Sequence, residues 1–205
     1  MKVLIINGSP RLNGNTTQVL NEMKNVLIEE ELEVEIFQVG TKNIRGCIAC
    51  NKCRELGKCI FDDDINELLP KLHEADALVV ATSVYYASAN GTLISLLDRL
   101  FYANQVDLSM KVGASIAIAR RGGASATFDE LNKYFTISGM PIVSSYYWNS
   151  VHGKAEGEAL QDKEGIYTIR MLAKNLAFLV KSINLGKEKY GLPKKEKREI
   201  TNFIR

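Results

Sequence analysis

The chain has 205 residues, 46% hydrophobic and 24% charged, an ordinary globular composition that can bury one core without staples and excludes disorder, collagen or coiled coil as a description of the whole. The net charge of +2 is uneven: residues 186–205 carry seven Lys or Arg against three Glu, so the body is slightly acidic and offers no positive field for nucleic acid. The longest apolar runs are five residues and the N-terminal one is shorter still; neither a membrane span nor a signal peptide is expected, and the chain reads as cytoplasmic, with no nucleic-acid or membrane partner.

Val3, Leu4, Ile5 and Ile6 form a continuous apolar run ended by Asn7-Gly8-Ser9-Pro10, the pattern of a strand buried on both faces followed by a turn. From Thr16, apolar residues at Val19, Leu20, Met23, Val26 and Leu27 recur every three or four positions. They predict a helix capped by Asn15 or Thr16. A second strand is predicted over 34–39, then a cysteine-bearing loop, then a helix begun by Asp62-Asp63-Asp64 and running to Leu72. Residues 77–81 predict a third strand, and Leu93, Leu96, Leu97, Leu100 and Phe101 another helix after a loop over 82–92. A fourth strand over 112–119, a Gly-rich loop over 120–124, a helix over 128–137 and a fifth strand over 140–146 follow. Ile166, Ile169, Leu172, Ala173, Leu176, Leu179, Val180 and Ile183 mark the clearest amphipathic helix.

Strand and helix alternate five times with no internal linker, so the expected fold is α/β, a doubly wound five-stranded parallel sheet. The division expected is one domain over 1–185 and a basic tail over 186–205, a solvated end or a subunit-contacting arm. Such sheets bind ligands beyond the carboxyl ends of their strands, here the loops starting at Gly8, Thr82 and Arg120.

The first loop, from Gly8 to Thr17, supplies hydroxyls, an amide, an arginine and a helix N-terminus, the parts of an anion pocket. Neither G-x-G-x-x-G nor a Lys-containing Walker loop is present, so a single terminal phosphate fits better than a dinucleotide or phosphoryl transfer. A polar turn whose side chains cap their own backbone is the plainer alternative. All four cysteines, Cys47, Cys50, Cys53 and Cys59, lie in one 13-residue window spaced C-x2-C-x2-C-x5-C. That is compact enough to wrap a cuboidal cluster, whereas structural zinc more often uses two separated knuckles. Zinc, or thiols free or paired in a disulfide, remain the alternatives.

Gly8-Ser9-Pro10-Arg11 with Gly14-Asn15-Thr16 resembles the phosphate loop of flavodoxin-like proteins of the NADPH-dependent FMN reductase and iron-sulfur flavoprotein type. The resemblance continues through Gly46 to Cys53, Asp62 to Asp64, Ser83-Val84-Tyr85-Tyr86, Asp98-Arg99, Arg120-Arg121-Gly122-Gly123 and Tyr147 to Gly153. It implies bound FMN, with Ser9, Arg11, Asn15, Thr16 and Thr17 around the phosphate. Ser83, Val84, Tyr85, Tyr86, Ala87 and Asn90 would flank the isoalloxazine ring. Gly122 and Gly123 would allow close approach, and Arg120 or Arg121 would balance negative charge on the reduced ring. It also implies a [4Fe-4S] cluster on Cys47, Cys50, Cys53 and Cys59, near the flavin of a neighbouring subunit in a homodimer or homotetramer. NAD(P)H or a reduced carrier would be the electron donor and a flavin, quinone or one-electron partner the acceptor. A non-enzymatic electron carrier is the alternative function. The tyrosines could equally be core aromatics and the arginines a solvated turn. Asp98 and Arg99 read as a charged pair used for packing, Asp62 to Asp64 as an acidic helix start, His73 as a surface or capping residue, and His152 as a loop-fixing group or a flavin-side residue.

Overall fold

The computed structural model of the chain describes residues 1–197, 199–201 and 203. Five parallel strands stand in the order β2-β1-β3-β4-β5. They are β1 (Lys2–Asn7), β2 (Glu33–Gln38), β3 (Ala77–Ser83), β4 (Val112–Ala119) and β5 (Ser150–His152). This is the doubly wound order of the flavodoxin-like fold, whose chain reverses direction across the sheet between β1 and β3.

The apolar strands bury both faces, so alternate residues sort into two cores. Val3 and Ile5 of β1, Val79 of β3 and Ala114, Ile116 and Ile118 of β4 pack beneath α1 (Asn15–Glu29) and α6 (Lys163–Tyr190). Leu4, Ile6, Leu78 and Val80 face the other way, onto α3 (Asp64–Glu74), α4 (Gly91–Ala103) and α5 (Ala124–Ile137). A single turn, α2 (Cys53–Leu56), lies within the cysteine loop. Gly113 faces this second core, and a Cβ there would come within 2.6 Å of the Phe135 ring. Gly113→Ala is therefore expected to cost about 1–3 kcal/mol through overpacking, read as a lowered urea midpoint at unchanged m-value.

Three expectations need correction. The fifth strand is not residues 140–146 but Ser150–His152. Pro141 has no N–H to give the ladder, so the earlier segment makes one bridge, Ile142 to Gly113, closed by Gly113 N–H to Pro141 O and Val143 N–H to Gly113 O. The chain then leaves the sheet, with Tyr146, Tyr147 and Trp148 exposed and the Ser145 hydroxyl donating to Tyr147 O and Asn149 Oδ1. Asn149 brings it back, its amide donating to Ser115 O. The second correction concerns α1, which is capped by Gly14 without a side-chain hydrogen bond. Asn15 reaches across instead, donating to Ala155 O and accepting from Gly157 N–H and Ala159 N–H. Third, Asp98 and Arg99 do not pair. Neighbours on a helix point about 100° apart, and Asp98 accepts from the Tyr134 hydroxyl while Arg99 turns to Asp63. Among the described residues no helix is long and apolar enough to cross a membrane. The last helix runs to Tyr190.

Candidate functional site

The loops after β1, β3 and β4 converge at the carboxyl edge of the sheet on a cleft of about 270 Å³. The β1–α1 loop contributes Ser9 and Arg11, the first turn of α1 Asn15 and Thr16, the end of β3 and the loop after it Ser83, Val84 and Tyr85, and the end of β4 with the residue after it Ile118 and Arg120. Asn7, fully buried at the end of β1, shapes the first loop: its Oδ1 accepts from Ser9 N–H and its amide donates to the Thr17 hydroxyl. Ser9 Oγ accepts from Arg11 N–H, tightening the turn. The first turn of α1 carries no side-chain cap and no acidic residue, leaving backbone N–H groups and the positive helix end for an anion. On the far wall the Ser83 hydroxyl is buried with no hydrogen-bond partner, an expense of the kind usually met by a ligand or ordered water.

The other expected site residues are not among those lining this cleft. Thr17 is engaged by Asn7, and Asn90 caps α4, accepting from Thr92 N–H and Leu93 N–H. Tyr86 and Ala87 form the tip of a tight hairpin in which Tyr85 and Ser88 exchange both backbone hydrogen bonds. Both tip residues sit at positive φ, 50° and 61°, strained for side chains of this kind, and Tyr86 is fully exposed. Two features hold the tip. Glu130 of α5 accepts from the Ser88 hydroxyl and Ala89 N–H. Gly123, at φ 93°, packs so close to Ala87 that a Cβ would lie 2.8 Å from its Cα. Gly123 thus serves loop-on-loop packing, while Arg121 and Gly122 stay outside the cleft wall. Gly153 and Lys154, just past β5, line it instead. Lys154 carried no motif by which sequence could single it out. His152 is half exposed beside Asp162, which accepts from its backbone N–H, and the His73 ring bonds the Asn104 side chain.

The cysteines form a second site. All four line one small, mostly apolar pocket with Phe61 and, from α4, Arg99, Tyr102 and Ala103. Cys47 and Cys50 are exposed, Cys53 is buried and Cys59 is intermediate. Ala49 and Asn51 between them take positive φ, 53° and 58°, and Ala49 N–H points at Cys47 Sγ. Backbone that alternates in this way forms concavities suited to anions and iron-sulfur centres. The Cys59 backbone is clamped by Asn66, which accepts its N–H and donates to its carbonyl, and its Sγ lies 3.1 Å from Arg99 Nη2. Arg99 is 2% exposed and forms a two-pronged pair with Asp63 at 2.7 and 2.9 Å. Burial works against its charge, but hydrogen bonds to Asp63 and Cys59 outweigh it and hold the guanidinium above its ordinary pKa. Asp63 also caps α3, accepting from Ile65 N–H. Among the described residues no three His, Cys, Asp or Glu side chains stand close enough to grip a single metal ion. Four thiols around one apolar pocket are nevertheless the donor set that iron-sulfur clusters take.

Fold and cleft together define a flavodoxin-like protein with a cleft at the switch point. The model of the NADPH-dependent FMN reductase family matches residues 1–155, and the chain belongs to that family, on its iron-sulfur flavoprotein side. It is 37% identical to an iron-sulfur flavoprotein of Methanocaldococcus jannaschii over 89% of this chain and 99% of that one. It is 29% identical to an iron-sulfur flavoprotein of Methanosarcina thermophila over 92% of this chain and 100% of that one. Among solved structures RosB, crystallised with 8-demethyl-8-formylriboflavin-5'-phosphate, superposes with a TM-score of 0.72 at 17% identity, covering 100% of this chain and 94% of RosB; at that identity the likeness is one of fold.

Proposed function

We propose that this chain is an FMN-dependent oxidoreductase that passes electrons from NAD(P)H or a reduced carrier to a small acceptor such as a flavin or quinone. Through a cluster on Cys47, Cys50, Cys53 and Cys59 it would also serve a one-electron partner. The observation that carries this reading is the cleft itself, lined both by the uncapped start of α1 and by Ser83, whose buried hydroxyl has no partner. FMN supplies the hydride and single-electron chemistry when bound, so no acid or base from the protein is needed. The chain's own work is to bind, orient and shield. Ser9, Arg11, Asn15 and Thr16 with the α1 N-terminus would take the phosphate. Ser83 offers a hydrogen bond to the ring edge, and Arg120 offers positive charge where the reduced ring becomes negative. Tyr85, partly exposed at the mouth, limits access of water. A homodimer or homotetramer suits this layout. The cysteine pocket rests on the last turns of α4, roughly 12 Å or more along that helix from its first residue, and shares no wall residue with the cleft. A second copy could bring cleft and pocket together.

The test is the visible spectrum of protein purified without oxygen, with FMN, iron and acid-labile sulfide counted on one sample. About one FMN with four irons and four sulfides per chain is expected. Steady-state oxidation of NAD(P)H with quinone, FMN or ferricyanide then separates an enzyme from a carrier. Absence of flavin after reconstitution overturns the reading, and flavin without iron removes the cluster arm.

A further inference from the structure

Arg99 is among the largest fully buried side chains of the molecule, on a helix whose core stripe is otherwise Leu93, Leu96, Leu97 and Leu100. A buried guanidinium is expensive unless fully paired, and a well-packed apolar residue would serve stability as well or better. Pairing is incomplete here: Asp63 takes Nη1 and Nη2, Arg45 O lies 3.4 Å from Nη1, and Nε has no partner. The charge's particular effect falls on what it touches. Phe61 is covered by Arg99 and Arg45, their guanidinium carbons 5.1 and 4.5 Å from the ring centre, and Nη2 donates to Cys59 Sγ. The thiols are thereby made unequal. Cys47 Sγ receives a neutral backbone N–H, Cys53 Sγ lies 3.7 Å from Tyr102 O, and Cys59 Sγ receives a charged donor backed by a fixed carboxylate.

Given the cluster reading above, we propose that Arg99, fixed by Asp63, is a positioning residue that seats Cys59 as the returning ligand and raises the cluster's reduction potential. The reduced cluster carries one more electron than the oxidised one. A positive charge and an N–H donor at a ligand sulfur favour that state. Asn66 holds the backbone of the same residue, so Cys59 is fixed from both ends while Cys47 and Cys50 stand at the surface.

The test uses the full chain, reconstituted with FMN, iron and sulfide, in three forms: wild type, Arg99→Lys and Arg99→Gln/Asp63→Asn. The double variant removes both buried charges together and keeps an oxygen at position 63 to cap α3. An anaerobic redox titration follows the cluster and flavin signals in one sample, and a chelator reads the rate of iron release. The cluster couple is expected to move to a more negative potential in the double variant, and by less in Arg99→Lys, while the flavin couple stays in place and iron release accelerates severalfold. An unchanged cluster potential in a folded, iron-loaded variant overturns the role. Arg99→Lys retains a charge for Asp63, so it carries the test if the double variant does not fold; its potential falls if Arg99 acts on Cys59 and stays at the wild-type value if it does not. Wild type that takes up no iron or sulfide overturns the cluster reading itself, and Arg99's role with it.

Discussion

Replacing Ser9 and Thr16 together by aspartate removes bound FMN and leaves the fold intact. Both side chains are nearly buried, at 4% and 2% exposure, in the wall where the β1–α1 loop meets the first turn of α1. That turn has no acidic residue and no side-chain cap, so the carboxylate at position 16 suits the helix's positive end. The same carboxylates fill the place of the phosphate and repel it. Losing two charge-assisted hydrogen bonds costs about 3–6 kcal/mol, roughly two to four orders of magnitude in Kd. Flavin stoichiometry and fluorescence titration of the reconstituted protein measure the loss, and the far-ultraviolet circular dichroism should match wild type. Ser9→Asn/Thr16→Ser retains donors and adds no charge, so it should retain FMN. Unchanged flavin content in the double aspartate variant would sink the assignment of the phosphate to this loop.

Cys50→Ala abolishes iron binding and leaves FMN in place. Cys50 is the informative position because it is exposed; its truncation costs no core packing. Cys53, by contrast, belongs to the hydrophobic core beneath α3 and α4, and its loss would confound cluster assembly with folding. The separate walls of the pocket and the cleft are the reason the flavin should stay. Iron and acid-labile sulfide, measured beside FMN on the same sample, should fall from about four per chain to near zero. Full iron and sulfide in the variant would remove Cys50 from the ligand set. Retained zinc with no sulfide would point instead to a mononuclear site.

Where local pattern and tertiary need coincide, the sequence was readable. Val3 to Ile6 lie inside the observed Lys2–Asn7 strand, and the β4 range agrees at both ends, because a strand buried on both faces must be continuously apolar. The edge strand departs from its sequence pattern for the opposite reason. Only three residues pair there, and the apolar content of 140–146 belongs partly to a bridge and partly to an exposed aromatic loop. Asn15 has the type and place of a cap, yet its amide finds its partner 140 residues away. Asn90, expected beside the ring, does the capping at α4.

The sequence by itself determined the strand-helix alternation, hence a doubly wound sheet, and which loops must meet at its carboxyl edge, because hydrophobic periodicity and crossover handedness are local rules. It also put four cysteines within one loop's reach of each other. Only the tertiary structure decided which side chains complete the two sites. Lys154 and Gly153 come to the cleft from beyond β5. Arg99 reaches Cys59 from 40 residues away on another element. Such contacts follow from how α4 lies across the sheet and against the cysteine loop, and burial of its leucine stripe sets that orientation. A single arginine in a helix carries no local mark of the sulfur it will touch.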